Sequence, residues 1–296
     1  MKPHSSRVIK IAILPGDGIG PDVINATIPV LDAVQEVVKG LKLEYIFGEA
    51  GLNCIPKYGT NLPEKTIECL KSTDCCLKGP LTTPEEPGSP RSATVSIRTM
   101  FDLYVNLRPL KSLPNIHSLH PEINMAIIRE NTEGLYSGIE FMSGKDSAIA
   151  IRLITRKCCE RIARFAFNLS MKRKKHLTYV HKGNILKITD GLFKDSVLKV
   201  AKEFPEVRLE DARVDATAMS LIKRPESFDV IVTTNLFGDI LSDEGAQLVG
   251  GLGVAPGANI GEKYAMFEPI HGSAPKYTGL DKVNPIATIL STKLMF

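Results

Sequence analysis

Asp239 and Asp243 lie four residues apart in the segment Asn235-Leu-Phe-Gly-Asp-Ile-Leu-Ser-Asp243. On a helix they share one face. Two hard oxygen donors there suit Mg²⁺ or Mn²⁺, which take their remaining ligands from substrate and water. A blander reading serves the pair taken alone: Asp239 caps the helix and Asp243 is solvated. Arg98, Arg108 and Arg129 are of the type that grips a di- or tricarboxylate bidentately. Surface arginines are ordinary in any protein, but Arg129 ends the apolar strand Met125 to Ile128, where topology places binding sites. Lys182, in Val180-His181-Lys182-Gly183-Asn184, also stands at a strand end, where partial burial would lower its pKa toward base duty. His181 beside it reads as structural. In Glu268-Pro-Ile-His271-Gly272-Ser273-Ala274-Pro275-Lys276-Tyr277, small residues adjoin a cation and a phenol. Such a loop can seat a phosphorylated nucleotide, or be an ordinary polar loop. Gly16-Asp17-Gly18-Ile19-Gly20 follows a strand, with Glu44 placed as a ribose acid. Its spacing is G-x-G-x-G, so the dinucleotide fingerprint fails and a tight glycine turn is the reading.

The elements that must position these residues alternate. Val8 to Leu14 reads as a strand. A helix begins at Pro21 and runs toward Gly40, its expected cap, with a kink predicted at Pro29. Leu41 to Phe47 and Asp74 to Lys78 read as strands, Pro63 to Lys71 and Ala93 to Phe101 as helices, and Pro80 to Pro90 as loop. Beyond these, strands are expected at Asn124 to Arg129, Leu177 to Val180 and Phe228 to Thr233. Helices are expected at Thr155 to Met171, Asp190 to Glu203 and Ile286 to Phe296. Leu135 to Ile154, with Gly138 and Gly144, reads as hairpins. This is α/β layering. The chain has 296 residues, 43% hydrophobic, with a net charge of +4. That suffices for a sizeable core, and the charge excess is too small to argue for nucleic acid. The basic run Lys172 to Lys175 reads as a solvated helix end. No apolar run approaches the roughly 18 residues of a membrane helix, and no secretory signal opens the chain. The six cysteines form no C-x-x-C and read as thiols of a reducing compartment, the cytoplasm by default.

Taken together and in order, these segments resemble the metal-dependent β-decarboxylating dehydrogenases, the isocitrate and 3-isopropylmalate dehydrogenase family. The matching stretches are Gly16 to Pro21, Lys78-Gly-Pro-Leu-Thr-Thr-Pro84, Asp102-Leu-Tyr-Val-Asn-Leu-Arg-Pro109, Arg129 to Tyr136, His181 to Asp190, Asn235 to Asp243 and His271 to Asn284. The resemblance implies an α/β fold of two domains that is not Rossmann. Residues 1–103 plus 250–296 would form the large domain and 104–249 the small one, with a dimer clasp at about 135–154. It implies that Arg98, Arg108 and Arg129, with Ser92, Thr94 and Asn184, hold the substrate. Asp239 and Asp243 would hold Mg²⁺ or Mn²⁺ together with Asp215 from the other subunit. Lys182 would help remove the hydroxyl proton, and hydride would pass from C2 to the nicotinamide. The metal would stabilise charge on the ketone oxygen as CO₂ departs, and Tyr136 would protonate the enol. Thr83, His271, Gly272, Ser273, Ala274, Lys276, Tyr277 and Asn284 would contact the cofactor.

Ser92 matches the isocitrate readers of this family, although Thr94 stands where they usually carry Asn. Lys276 and Tyr277 occupy the position where NAD users carry an aspartate, and they suit the 2′-phosphate of NADP. The expectation is therefore an NADP-dependent isocitrate dehydrogenase acting as a homodimer, with no nucleic-acid or membrane partner. Homoisocitrate or 3-isopropylmalate with NAD is the alternative, and a non-catalytic or regulatory paralogue a second. Family members continue past the helix at Asn284-Pro285, so a C-terminal truncation is expected, and with it doubtful activity of the chain as given.

Overall fold

The structure is a computed structural model that describes residues 7–86 and 88–296. In chain order, the first run is β1 (Arg7–Leu14), α1 (Gly20–Val37), β2 (Leu41–Phe47), α2 (Ile55–Tyr58), α3 (Glu64–Lys71), β3 (Cys75–Lys78) and α4 (Ala93–Met100). The second is β4 (Val105–Lys111), β5 (Asn124–Glu130), β6 (Glu140–Met142), β7 (Ala148–Ala150), α5 (Arg156–Met171), β8 (His176–His181), α6 (Thr189–Ala201), β9 (Arg208–Arg213), α7 (Val214–Lys223), β10 (Val230–Thr233) and α8 (Asn235–Leu248). The chain ends on β11 (Pro256–Ile260), β12 (Ala265–Pro269) and α9 (Ile286–Lys293). Two compact units result. One holds the described residues up to Phe101 together with Leu252–Phe296, the other Asp102–Gly251.

In the first unit the strands run in the order β2-β1-β3-β12-β11. β1 is parallel to β2 and β3, and β11 is antiparallel to β12. Ile11, Ala12, Ile13 and Leu14 are fully buried, the signature of a parallel strand covered on both faces. Helix α1 opens with Pro21 and Asp22 in its first turn and buries Gly20, Val23, Ile24, Thr27 and Leu31 along one stripe. It runs through Pro29 without ending there. Its cap corrects the expectation: the helix stops at Val37, where the Val38 N–H bonds Val34 O. Gly40 instead takes a left-handed φ of +83° in the turn into β2.

The glycine turn after β1 is a close backbone approach, not an open cradle. A Cβ on Gly16 would lie 2.3 Å from Pro80 O, and one on Gly18 2.0 Å from Ser273 O. Asp17, buried between them, accepts the Leu52 N–H at 2.9 Å and the Thr82 N–H at 2.7 Å. The Thr82 hydroxyl meets Ser273 Oγ at 2.6 Å. The tight glycine turn read from the sequence is what forms, its approach closed by the protein's own backbone.

In the second unit the order is β4-β5-β10-β8-β9. β4 is antiparallel to β5 and the rest are parallel. The carboxyl ends of β5, β10, β8 and β9 therefore share one edge, the edge that carries sites in such sheets. Gly138, at φ +71°, precedes the antiparallel β6–β7 ribbon expected between 135 and 154, and Gly144, at φ +80°, lies in the turn that joins its strands. Both of its strands are exposed. At the end of α5 the lysines of the basic run are exposed, while Arg173 donates to Asp229 Oδ1 at 2.8 Å and Lys175 pairs with Glu206 at the surface. All six cysteines are free thiols, and burial pushes Cys75 up to about 12. Among the described residues no helix is long and apolar enough to cross a membrane.

Candidate active site

Helix α8 packs against β5 because Gly238 has no side chain. A Cβ there would lie 2.6 Å from Arg129 Cβ. This approach sets Asp239 under Arg129, whose Nε donates to Asn235 Oδ1 at 2.9 Å while its Nη1 pairs with Asp239 Oδ1. Arg108, one strand over, donates from Nε to Asn106 Oδ1 at 2.7 Å. Its Nη1 reaches Ser242 Oγ at 2.7 Å and Asp243 Oδ1 at 2.8 Å, and its Nη2 stands 3.4 Å from Asp239 Oδ1. Gly134, at φ +81°, starts the short turn Leu135–Ser137. That turn brings the Tyr136 hydroxyl to donate to Asp239 Oδ2, with its ring 4.9 Å from Arg129 Cζ. Burial pushes the Asp243 carboxyl up, and neighbouring Asp239 adds to this against the opposing Arg108 and Arg129.

Lys182 follows β8 and Asp215 opens α7, and the two pair at 2.8 Å. That hydrogen bond holds the Asp215 carboxyl below its usual range. The carboxyl ends of β5 and β8 are separated by β10, so Arg129 and the Lys182 turn lie on the order of 10 Å apart along the edge. His181 is structural, as expected: its Nδ1 accepts the Gly183 N–H at 2.9 Å, which leaves Nε2 to donate to Asp211 at 2.7 Å. Asn184 is exposed in the turn beyond. Among the described residues no three metal-binding side chains gather. The donor chemistry of Asp239 and Asp243 still fits a hard divalent ion: only oxygens, one helical turn apart, with Asp243 about half exposed so that coordinated water can remain.

The remaining expected residues lie in the other unit. Arg98 is buried and bonds Glu268 Oε1 at 2.9 Å, and Lys78 Nζ meets the other oxygen at 2.6 Å. Burial alone would raise the Glu268 carboxyl, but the two cations outweigh it and hold it well below the usual range. Ser92 is the N-cap of α4, accepting from the Val95 N–H at 3.5 Å. Thr94 is half-buried one turn before Arg98, and Thr83 is exposed in its loop. His271 contacts Gly272 O through Nδ1 at 3.0 Å. Its buried Nε2 has no hydrogen-bond partner among the described residues, and burial holds the imidazole below its ordinary value. Gly272 is exposed and Ser273 buried, and Ala274 takes a left-handed φ of +37°. Lys276 lies 4.8 Å over the Tyr277 ring, and Asn284 Oδ1 accepts the Ile286 N–H at 3.0 Å.

Sequence reasoning passed over Lys78, Glu268, Asn106, Asn235 and Ser242 as functional positions. Lys78 carries a legible signal, a cation ending the apolar strand Cys75–Lys78. Glu268 has none, because its partners are distant in the chain.

Comparison with known proteins places these observations. A profile of the family described as isocitrate/isopropylmalate dehydrogenase matches residues 10–296. The 3-isopropylmalate dehydrogenase of Methanothermobacter thermautotrophicus is 49% identical over 98% of this chain and 85% of its own length. The homoisocitrate dehydrogenase of Methanocaldococcus jannaschii is 47% identical over 98% and 85%. The crystal structure of isocitrate dehydrogenase from Methylococcus capsulatus superposes with a TM-score of 0.92 at 43% identity, covering 97% of this chain and 84% of that one. The chain therefore belongs to the isocitrate/isopropylmalate dehydrogenase family.

Proposed function

We propose that the protein oxidatively decarboxylates a 2-hydroxy-3-carboxy acid with a nicotinamide nucleotide and Mg²⁺ or Mn²⁺. Isocitrate and NADP are the preferred pair. The observation that carries this is the convergence of Arg108, Arg129 and Tyr136 on the Asp239–Asp243 face of α8. Arg108 and Arg129 are buried cations whose fixed forks suit substrate carboxylates; Arg98, with Ser92, Thr94 and Asn184, completes the substrate set. Asp239 and Asp243 would hold the divalent ion, which when bound supplies positive charge where the departing carboxylate leaves electrons. Lys182 helps remove the hydroxyl proton, and Asp215, which it meets at 2.8 Å, joins Asp239 and Asp243 as a ligand of the ion. The Tyr136 hydroxyl returns a proton to carbon. Thr83, His271 to Ala274, Lys276, Tyr277 and Asn284 form the cofactor set, with Lys276 facing a 2′-phosphate.

A homodimer is part of this reading. Phe141, Met142 and Ile149 of the ribbon, and Ile151 and Leu153 beyond it, are each at least 42% exposed. A two-stranded ribbon with an apolar face needs a covering surface. In a dimer so formed, Asp215 and Lys182 serve the second copy's site. The free thiols suit the cytoplasm.

A second reading rests on the relatives named above, a 3-isopropylmalate and a homoisocitrate dehydrogenase. Those acids, with NAD, are the alternative. One assay separates the readings: absorbance of the reduced nicotinamide with each of the three acids, either nucleotide and Mn²⁺. The highest kcat/KM with isocitrate and NADP is expected. Preference for either other acid selects the second reading. No turnover with any pair, or turnover indifferent to a chelator, would falsify the proposal and favour a non-catalytic role.

A further inference from the structure

We propose that Arg152 and Asp190 are positioning residues that lock the Lys182 turn to the start of α8 and to the Tyr136 turn. The inference rests on the role assigned to Lys182 above. Asp190, the second residue of α6, is fully buried, and both its oxygens are engaged. Oδ1 accepts from Arg152 Nη1 at 2.6 Å, and Oδ2 accepts the backbone N–H of Lys182 at 2.6 Å. Arg152 addresses two further groups, donating to Thr189 Oγ1 at 3.0 Å and from Nη2 to Thr234 Oγ1 at 2.9 Å.

Thr234 is the N-cap residue of α8, and its carbonyl accepts the Gly238 N–H at 2.9 Å. The Arg152 guanidinium also lies over the Phe237 ring at 5.2 Å. One residue along the chain, Leu153 O accepts the Gly134 N–H at 2.8 Å. Gly134 begins the turn that delivers Tyr136 to Asp239. A single guanidinium thus ties the Lys182 turn, which serves the second copy's site in the dimer proposed above, to the helix bearing both aspartates and to the Tyr136 turn, which serve this copy's own.

The residue types argue for positioning rather than bulk stability. A buried ion pair is no more stabilising than a well-packed apolar pair and often less so, because both charges lose water. What the planar fork adds is direction: Asp190, Thr189 and Thr234 are met at fixed angles that an ammonium on a flexible stem does not reproduce. Reacting groups tolerate little displacement. An error of about 1 Å costs on the order of 100-fold in rate. The clamp therefore acts on turnover far more than on substrate affinity.

The test uses the full chain and the variants Arg152→Met, Arg152→Lys, Asp190→Asn and Lys182→Met. Amide exchange at Lys182 and steady-state kinetics are read together, with thermal melts to confirm folding. For Arg152→Met, protection of the Lys182 amide falls at least ~10-fold while the interior of β8 is unchanged. Its kcat drops on the order of 100-fold, with KM within about 3-fold. Arg152→Lys recovers part of the kcat, and Arg152→Met combined with Asp190→Asn costs less than the two single losses together. Unchanged Lys182 protection in Arg152→Met and Asp190→Asn overturns the clamp, and so does a loss confined to KM or one that tracks global unfolding. Full turnover by Lys182→Met instead overturns the role of Lys182, and the exchange measurement still decides whether the clamp exists.

Discussion

Arg108 Nη1 and Asp243 Oδ1 lie 2.8 Å apart, while the same guanidinium leans toward Asp239 at 3.4 Å. The two aspartates are nevertheless not equivalent. Asp239 also answers Arg129, whose side chain is 1% exposed, whereas the Asp243 side chain is 52% exposed. Asp243→Asn should therefore change unfolding free energy by no more than about 1 kcal/mol, as water screens the loss. Asp239→Asn should cost about 3–5 kcal/mol, because it removes the carboxylate paired with a buried guanidinium. Both should raise the Mn²⁺ concentration for half-maximal turnover at least ~10-fold if they hold the ion. Urea unfolding and Mn²⁺ titration separate the effects. Equal stability losses would contradict the asymmetry.

How far this site was legible follows from chain distance. The shared face of Asp239 and Asp243 is local, set by helical spacing, and it could be read directly. The meeting of Tyr136 with Asp239 depends on the turn that Gly134 begins; the family resemblance assigned both residues to one site, but no pattern in the sequence announces this contact. β9 escaped notice because Arg-Leu-Glu-Asp-Ala-Arg has no apolar alternation, as befits a strand listing charges at a sheet edge. β4 escaped because Pro109 reads as a break, though it pairs opposite Ala126 in the antiparallel ladder. Glu268 lies 170 residues from Arg98, so no pattern joins them.

Gly238 and Gly191 should respond to alanine in opposite directions. At Gly238 the added methyl meets Arg129 Cβ at 2.6 Å, so the helix must back away from β5. A loss of about 1–3 kcal/mol is expected, with reduced turnover because Asp239 moves with the helix. At Gly191, in α6, nothing lies within 4 Å. Alanine there should stabilise by up to about 1 kcal/mol through helix propensity alone. Paired chemical denaturation curves check this, and stabilisation by Gly238→Ala would refute the close packing.

Lys276→Asp tests the nucleotide preference. Lys276 is exposed and rests over Tyr277 at 4.8 Å, so the change should leave the thermal midpoint nearly untouched. A carboxylate repels the 2′-phosphate and accepts from a 2′-hydroxyl, so the ratio of kcat/KM for NADP over NAD should fall at least ~10-fold. An unchanged ratio would remove Lys276 from the cofactor set.

Glu268→Gln should show a pH-dependent stability loss. Glu268 is buried between Lys78 at 2.6 Å and Arg98 at 2.9 Å, and Asn259 donates to it at 2.7 Å. Burial opposes its charge, but the two cations prevail and depress the folded pKa. A depressed carboxylate stabilises the fold above its unfolded pKa of about 4.3, and that stability fades as pH falls from there toward the folded value. Glutamine keeps the shape and loses the charge, leaving two buried cations facing a neutral amide. The expected cost at pH 7 is about 3–5 kcal/mol. The gap between the two proteins should hold from pH 7 down to about 5 and narrow below about 4. Urea unfolding across that range measures it. A gap that widens on acidification would mean that Glu268 is protonated in the folded protein at neutral pH, and the ion triad would not be what joins β3, α4 and β12.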